Sequence, residues 1–463
     1  MLNIPHYFLK NKFAPFLKPN GRCTFAADSM GALSKTDMMS FRPFCIVLAF
    51  STLSIRGLAQ DAHHPHHHEM GATHEHEVEQ HANCGHSVNE ERPFDAGETA
   101  LHHIADANAI HIVGDLYFHL PCILYAPGYG WKITTTAAFE AHHHGNGTRS
   151  IDGYVLVHGN VMRLKNARYA HGSFPVSDYT HQEVETPDGK KKTVYYAIIH
   201  GQCEPLDAKT TFDGGIMGGG ITSFYDFSIT RNVFTMLLTA LLLFLLFRAA
   251  ARMATQRQGK APSGLQNFLE PFIVFIRDEV AKPNIGPKYE KYLPYLLAVF
   301  FFILGLNLIG QLPLFPGGAN VTGNISVTIV LAVFTFLIST FSANKHFWEH
   351  TLWMPGVPAV LKILILTPIE ILGLFLKPFT LLLRLFANIT AGHIVIVSFV
   401  GLIFIFGKGG ESLTGSISGI VASIPLTLFM MTLELLVAFL QAFIFTMLSA
   451  VYIGTAIEEP HHH

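Results

Sequence analysis

Charge is what this 463-residue chain has least of: Asp, Glu, Lys and Arg make up 14% of it, 31 basic against 33 acidic, for a net charge of −2. That balance removes the electrostatic case for a nucleic-acid partner. Cysteine is scarce too. The five present include no Cys-x-x-Cys pair, which argues against a structural zinc ribbon. No Gly-x-x-x-x-Gly-Lys-Ser/Thr run occurs, so no phosphate-cradling nucleotide loop is expected. The remainder is apolar: half of the residues are hydrophobic.

The chain divides near residue 230. Of 27 histidines, 21 precede that point, whereas almost all the long apolar runs come after it. This division predicts an extramembrane N-terminal part and a polytopic C-terminal part. Residues 43–55 form an apolar run too short to span comfortably. Arg42 precedes it, and Gly57 and Ala59 supply small residues at the −3 and −1 positions of a secretory cleavage site. Met38 and Met39 stand just before it, so residues 1–59 read as an early-called start plus a signal peptide. A short hydrophobic anchor is the alternative, and either reading exports the downstream segment. Residues 60–97 hold clustered histidines among acidic residues, including His63, His64 and His66–His68. Such clusters chelate divalent metals, but no quartet has the fixed spacing of a folded zinc site. The tail therefore reads as disordered and solvated, as do His142–His144 and His461–His463, and no metal or cofactor site is assigned.

Residues 98–230 are expected to form a small extracytoplasmic β-rich domain. The stretches 109–120, 150–158 and 192–200 alternate like strands, a turn is expected at Pro187–Lys190, and Gly-rich 214–220 closes the region. Cys122 and Cys203 both fall here, in what would be an oxidising compartment, so a disulfide between them is one expectation, with Cys84 left over.

Residues 231–460 carry about five expected spans. The first is Val233–Ala250. Arg248 stands near its end, and after it Arg252, Arg257, Lys260, Arg277, Lys282, Lys288 and Lys291 make the richest basic loop of this half, which the positive-inside tendency places in the cytoplasm. Within that loop 265–280 is amphipathic and expected to lie along the membrane surface. Tyr292–Leu312 and Ile325–Ser342 are the next spans. Residues 357–406 are too long for one ordinary span, and breaks at Pro368 and Pro378 are expected to leave a short piece and a long tilted helix. Ile417–Ile457 is the last. The expected fold is therefore mainly α: a polytopic membrane protein with two long tilted C-terminal helices, plus a small exported β-rich domain.

Polar residues stand out in this apolar half. Arg384 lies deep in Leu-Leu-Leu-Arg-Leu-Phe-Ala-Asn-Ile-Thr-Ala-Gly-His (381–393), with no charge close in sequence. Placing a guanidinium at bilayer depth costs roughly 2.5–3.5 kcal/mol on insertion scales, so such a group marks a functional site by default. Glu370, Lys377 and Arg384 recur every seventh residue, within about 20° of one helical stripe per step. Asn388, one turn on, can brace Arg384. His393 is nearly half a circle round from Arg384 and roughly 13 Å further along. On the last helix Glu434 and Gln441 share a face, and pairing of Glu434 with His393 would offer a proton-accepting site. Structural readings compete for the others. Lys377 can snorkel to an interface, Glu370 can pair with Lys362 or Lys377, and Asn307, Gln311 and Gln441 can hydrogen-bond between helices.

The segment 377–393 closely resembles the signature helix of subunit a of the F-type ATP synthase, and 433–453 resembles its last helix. The likeness covers about residues 227–460, including Asn307–Pro313. The resemblance implies a non-catalytic proton-channel subunit in a bacterial inner membrane, with a periplasmic N-terminal domain and a cytoplasmic C-terminus. Its implied partners are the ring of c subunits, the b-subunit stator stalk, other synthase subunits, lipid and protons. Arg384 would face the ring between two aqueous half-channels. Glu370, Asn388, His393, Glu434 and Gln441 fall at polar positions of the family pattern. Some members carry Glu after Ala-Gly and His on the last helix; His393 and Glu434 exchange those two groups. The run 94–106 resembles N-terminal stretches of the subunit in Bacteroidetes-type bacteria. A secondary transporter holding an anionic substrate on Arg384 is the alternative, but the inverted repeats it would need are not seen. A metal-handling protein would need ligands continuing into the spans, and a soluble enzyme on an anchor would not need intramembrane charges.

Overall fold

A computed structural model describes residues 86–87, 105–113, 116–142, 145–185, 191–211, 220–257, 260–312, 318–352, 359–408 and 412–458. The expected signal peptide and nearly all of the His-rich tail lie outside these residues. So do the 187–190 turn, 214–219, His143, His144 and His461–His463.

The β-rich part is an antiparallel eight-stranded sheet and three smaller sheets. Three of its connections are two-residue turns with both central residues at positive φ: Asp152-Gly153 (47°, 83°), His158-Gly159 (48°, 74°) and His200-Gly201 (50°, 72°). Such turns match the right-handed twist of the flanking strands, and Gly at the second position removes half of the strain. They correct the expected strands. Residues 150–158 are split by Asp152-Gly153 into Arg149–Ile151 and Tyr154–Val157. Residues 109–120 are likewise a hairpin, Ala109–Val113 against Leu116–His119. Hydrophobic residues flank the Asp152-Gly153 turn on both sides, so the pattern alone hid that reversal.

Two apolar clusters fill this part, one around Cys122, Leu124, Phe139 and Phe224, the other around Val155, Tyr169, Tyr179 and Ile199. The expected Cys122–Cys203 disulfide is not formed. Cys122 is a free thiol sealed in the first cluster, and burial, reinforced by nearby Asp226, pushes it up to about 12. Cys203 is disulfide-bonded, but not to Cys122.

The β-rich part is bolted to the first membrane helix, α1 (Arg231–Gln256). Thr230 caps the helix through its side chain, Arg231 N–H donates to Ala107 O (2.8 Å), and Asn232 N–H donates to Asp106 Oδ1 (3.0 Å). These bonds satisfy helix-end donors that would otherwise be stranded.

Among the described residues five helices are long and apolar enough to cross a membrane, as the sequence predicts: Arg231–Gln256, Leu265–Gly310, Ile325–Ser342, Leu364–Phe406 and Leu413–Ile457. The second includes α2 (Leu265–Phe275) and α3 (Tyr289–Gly310), joined through a π turn and short helical turns. The expected surface helix at 265–280 is thus continuous with a span, and it packs against α1. Gly305 of α3 lets α1 approach: a Cβ there would sit 3.0 Å from the Thr239 methyl. α4 is Ile325–Ser342, capped by Asn324, and a short helix α5 (Lys345–Leu352) comes next.

α6 (Thr367–Phe406) and α7 (Leu413–Ile457) are single helices of 40 and 45 residues. The expected breaks at Pro368 and Pro378 do not occur. Pro368 stands in the first turn, where its missing N–H costs no bond, and a π turn at Lys362–Leu366 precedes it. Pro378 is carried inside the helix, as is Pro425 in α7. At about 1.5 Å per residue each helix is roughly twice as long as a ~30 Å hydrocarbon core is thick. They are also the least covered. Only 17% and 28% of their most apolar windows are buried, against 56% for Leu265–Gly310. The helix pair presents a wide face to whatever surrounds the chain.

Candidate functional site

α6 and α7 pack along each other, and their contact is built around one carboxylate. Glu434 is 3% exposed, and its Oε1 lies 3.6 Å from His393 Nε2. That oxygen accepts no hydrogen bond among the described residues. Gly392 makes the approach possible, because a Cβ at that position would stand 3.0 Å from Oε1 and 3.3 Å from Cδ of Glu434. A buried carboxylate is costly unless paired, and the His393 imidazole is the group placed to pair with this one.

Glu434, Ala438 and Gln441 are all buried on one face of α7, at the i, i+4, i+7 spacing of a helix stripe. Asn307 of α3 reaches the same stripe. Its Nδ2 donates to Ala438 O (3.3 Å), and its Oδ1 accepts from Thr322 Oγ1 (2.7 Å). Asn307 is therefore a clamp between α3, the loop before α4, and α7. Gln311, one turn on, makes no such link: its Nε2 is buried without a hydrogen bond among the described residues.

Arg384 occupies a different side of α6. Its side chain is half-buried, with no hydrogen bond or ion pair among the described residues. Asn388 is exposed and does not hydrogen-bond Arg384, so the bracing expected between them is absent here. The neighbouring Ala387 and Ala391 are exposed as well. Arg384 thus opens towards a surface made of small side chains and one amide.

Because α6 is unbroken, Glu370, Lys377 and Arg384 do share one stripe. Glu370 and Lys377 nevertheless form no ion pair, and the Lys362 side chain lies outside the described residues. The Lys377 ammonium lies 5.6 Å from the Tyr452 ring centre and 5.9 Å from that of Phe347. Held between two aromatic faces, a cation is stabilised without a counter-ion. The crevice around it is lined mostly by apolar residues, among them Phe336, Leu374 and Leu381, with Ser339 and Thr340. Sequence reasoning misses Tyr452, Phe347 and Gly392. The two rings and the glycine have no contrast with their apolar surroundings until the helices are packed.

Fold and site define a polytopic helical membrane protein with ionisable groups set inside its last two spans. The ATP synthase A chain family model matches residues 233–454, and a domain family of unknown function, DUF8433, matches 99–180. ATP synthase subunit a of Pelodictyon phaeoclathratiforme is 46% identical over 348 residues, covering 74% of this chain and 92% of that protein. ATP synthase subunit a 2 of Chlorobaculum tepidum is 47% identical over 249 residues, 52% of this chain and 66% of that protein. Subunit a of Anaeromyxobacter sp. is 42% identical over 245 residues, 51% of this chain and 56% of that protein. The chain therefore spans between about half and nine tenths of these relatives. It belongs to the ATP synthase subunit a family.

Proposed function

We propose that this chain is the non-catalytic, proton-conducting stator subunit of an F-type ATP synthase in a bacterial inner membrane. Its working face would be the α6–α7 pair set against a ring of c subunits, with the b-subunit stalk and other synthase subunits completing the stator. The observation that carries the reading is Arg384: a permanent charge inside a span, without an acidic partner among the described residues, opening onto the least covered face of the molecule. Such a charge calls for a counter-charge from outside, and a ring carboxylate supplies it.

The chemistry rests on the two sides of α6. A proton enters by the His393–Glu434 pair and Gln441 and reaches a ring carboxylate, which once neutral turns into lipid without the burial penalty of a charge. When a protonated carboxylate arrives from the other side, Arg384 favours its ionised form and drives release. Release proceeds along the stripe that runs back through Lys377 to Glu370. The fixed charge also bars protons from passing directly between the two paths. Each charge crossing yields roughly 2.3 kcal/mol per 100 mV, which rotation couples to ATP synthesis elsewhere. The basic residues after α1 favour a cytoplasmic loop and C-terminus, with the β-rich domain of 98–230 in the periplasm behind a cleaved signal and a His-rich tail. A transporter with an anionic substrate is not favoured by the family.

ATP-driven proton pumping in inverted vesicles tests the reading, with Arg384→Ala and Arg384→Lys compared at equal levels of assembled complex. Loss of pumping in the Ala variant is expected. Unchanged pumping in an assembled Ala complex would overturn it.

A further inference from the structure

The β-rich part carries a feature that proton conduction does not use. Strands Pro121–Ala126, Gly130–Thr135 and Tyr225–Asp226 form a small antiparallel sheet. One face of it, bearing Cys122, Leu124 and Ala126, is buried. The other bears Tyr125, Trp131, Ile133, Thr135 and Tyr225, with Phe227 next along the chain. Register places Tyr125 opposite both Trp131 and Tyr225. The rings touch in a row: Trp131 lies 4.9 Å from Tyr125 and 5.4 Å from Phe227, centre to centre. Trp131 is 63% and Ile133 73% exposed. None of these side chains is charged. The one charge on the strand, Lys132, is turned to the opposite face and ion-paired to Asp152.

We infer that this aromatic face is seated in the interfacial layer of the membrane that α1 enters, so that the domain is anchored to lipid at a second point. Continuity with the span argues for lipid as the occupant. Phe227 stands four residues before α1, and the link is held by hydrogen bonds from Phe227 N–H to Ile123 O (2.7 Å), Ile229 N–H to Pro121 O (3.1 Å) and Arg231 N–H to Ala107 O (2.8 Å). The sheet therefore moves with the helix. Phe118, 38% exposed, packs on Phe234 of the first helical turn at 5.5 Å. From Phe234 the stripe continues down α1 through exposed Leu237 and Leu241, at i+3 and i+7. Exposed apolar side chains thus continue from α1 onto the domain at Phe118, beside the strand Pro121–Ala126 that carries the aromatic face. Trp and Tyr, with apolar bodies and polar tips, are the residues that favour the headgroup level of a bilayer. A contiguous exposed apolar patch on a folded domain marks a contact surface.

The test uses the whole complex reconstituted in liposomes, with an environment-sensitive fluorophore on Ile133→Cys and, separately, on Thr135→Cys. Gln182→Cys, exposed on the strand Asp178–Glu185 of the other sheet, is the control, and unsubstituted complex corrects for native thiols. Lipids bearing a spin label near the headgroup should quench the Ile133 and Thr135 probes severalfold more than the Gln182 probe. Aqueous iodide should quench them severalfold less. Equal iodide access at all three sites would overturn the inference in favour of a solvated face. Protection from both quenchers would overturn it in favour of a protein partner. Either label reads the same face, so the test survives if one variant fails to assemble, and no proton flux enters the readout.

Discussion

Gly392 is where the proposed entry site is most sharply defined by packing. An alanine methyl there would stand 3.0 Å from Glu434 Oε1 and 3.3 Å from its Cδ, tighter than ordinary contact. The carboxylate must withdraw from α6, and so from the His393 ring, by a few tenths of an ångström. With His393 protonated, an ion pair at 3.6 Å in an effective dielectric of ~20 is worth roughly 4.6 kcal/mol before desolvation, and at about 4.1 Å roughly 4.0 kcal/mol. The difference, about 0.6 kcal/mol, is a factor of roughly 2.5 in the population of the paired state. Gly392→Ala is therefore expected to slow the initial rate of ATP-driven acidification in inverted vesicles about two- to threefold. Gly392→Leu, which leaves no room for the carboxylate, should cost tenfold or more. Rates are to be normalised to assembled complex and to ATP hydrolysis. If both variants pump at the unsubstituted rate, the His393–Glu434 contact does not lie on the proton path.

Asn307→Leu removes the donor to Ala438 O and strands the Thr322 hydroxyl, a loss of about 1–2 kcal/mol; the thermal midpoint of the solubilised complex should fall by a few degrees, and more than for Thr322→Val. In the β-rich part, Lys132, aided by the Gly172 N–H, holds the Asp152 carboxyl below the usual carboxylate range. A depressed folded value stabilises above the ordinary range near 4 and is lost as pH falls through the folded value. Asp152→Asn should therefore speed hydrogen exchange at the Gly172 amide at neutral pH, and that difference should shrink progressively below about pH 4. The Cys122 thiol, raised from 9.0 to about 12, should carry about a thousandfold less thiolate at pH 8 than an unperturbed one. Mass spectrometry of Cys122 after iodoacetamide should find it unmodified until denaturant is added, and rapid modification of the folded chain would contradict its burial.

The membrane half is legible because apolar runs of spanning length have few alternative uses, and Arg384, His393 and Glu434 are legible because ionisable groups are rare there. The sequence misleads where local rules meet their surroundings. Pro368 and Pro378 read as breaks, yet one sits in a first turn and the other is tolerated inside a membrane helix. Alternation at 150–158 conceals Asp152-Gly153, although Asp-Gly between hydrophobic residues is itself a hairpin signal. Two cysteines in one domain suggest a pair, but strand placement buries Cys122 in one core cluster. Gly392 beneath Glu434, and the aromatic rings around Lys377, depend on helix packing over long sequence separations. No local pattern records them.

The central claim is that Arg384 both drives release from the ring and separates two proton paths. Its most direct test is passive proton conductance through membranes carrying Arg384→Ala, stripped of the soluble sector and driven by a potassium diffusion potential, set beside ATP-driven pumping by the same complex before stripping. The account predicts that pumping is lost while passive conductance persists or rises. Retained pumping, or passive conductance abolished in an assembled complex, would contradict it.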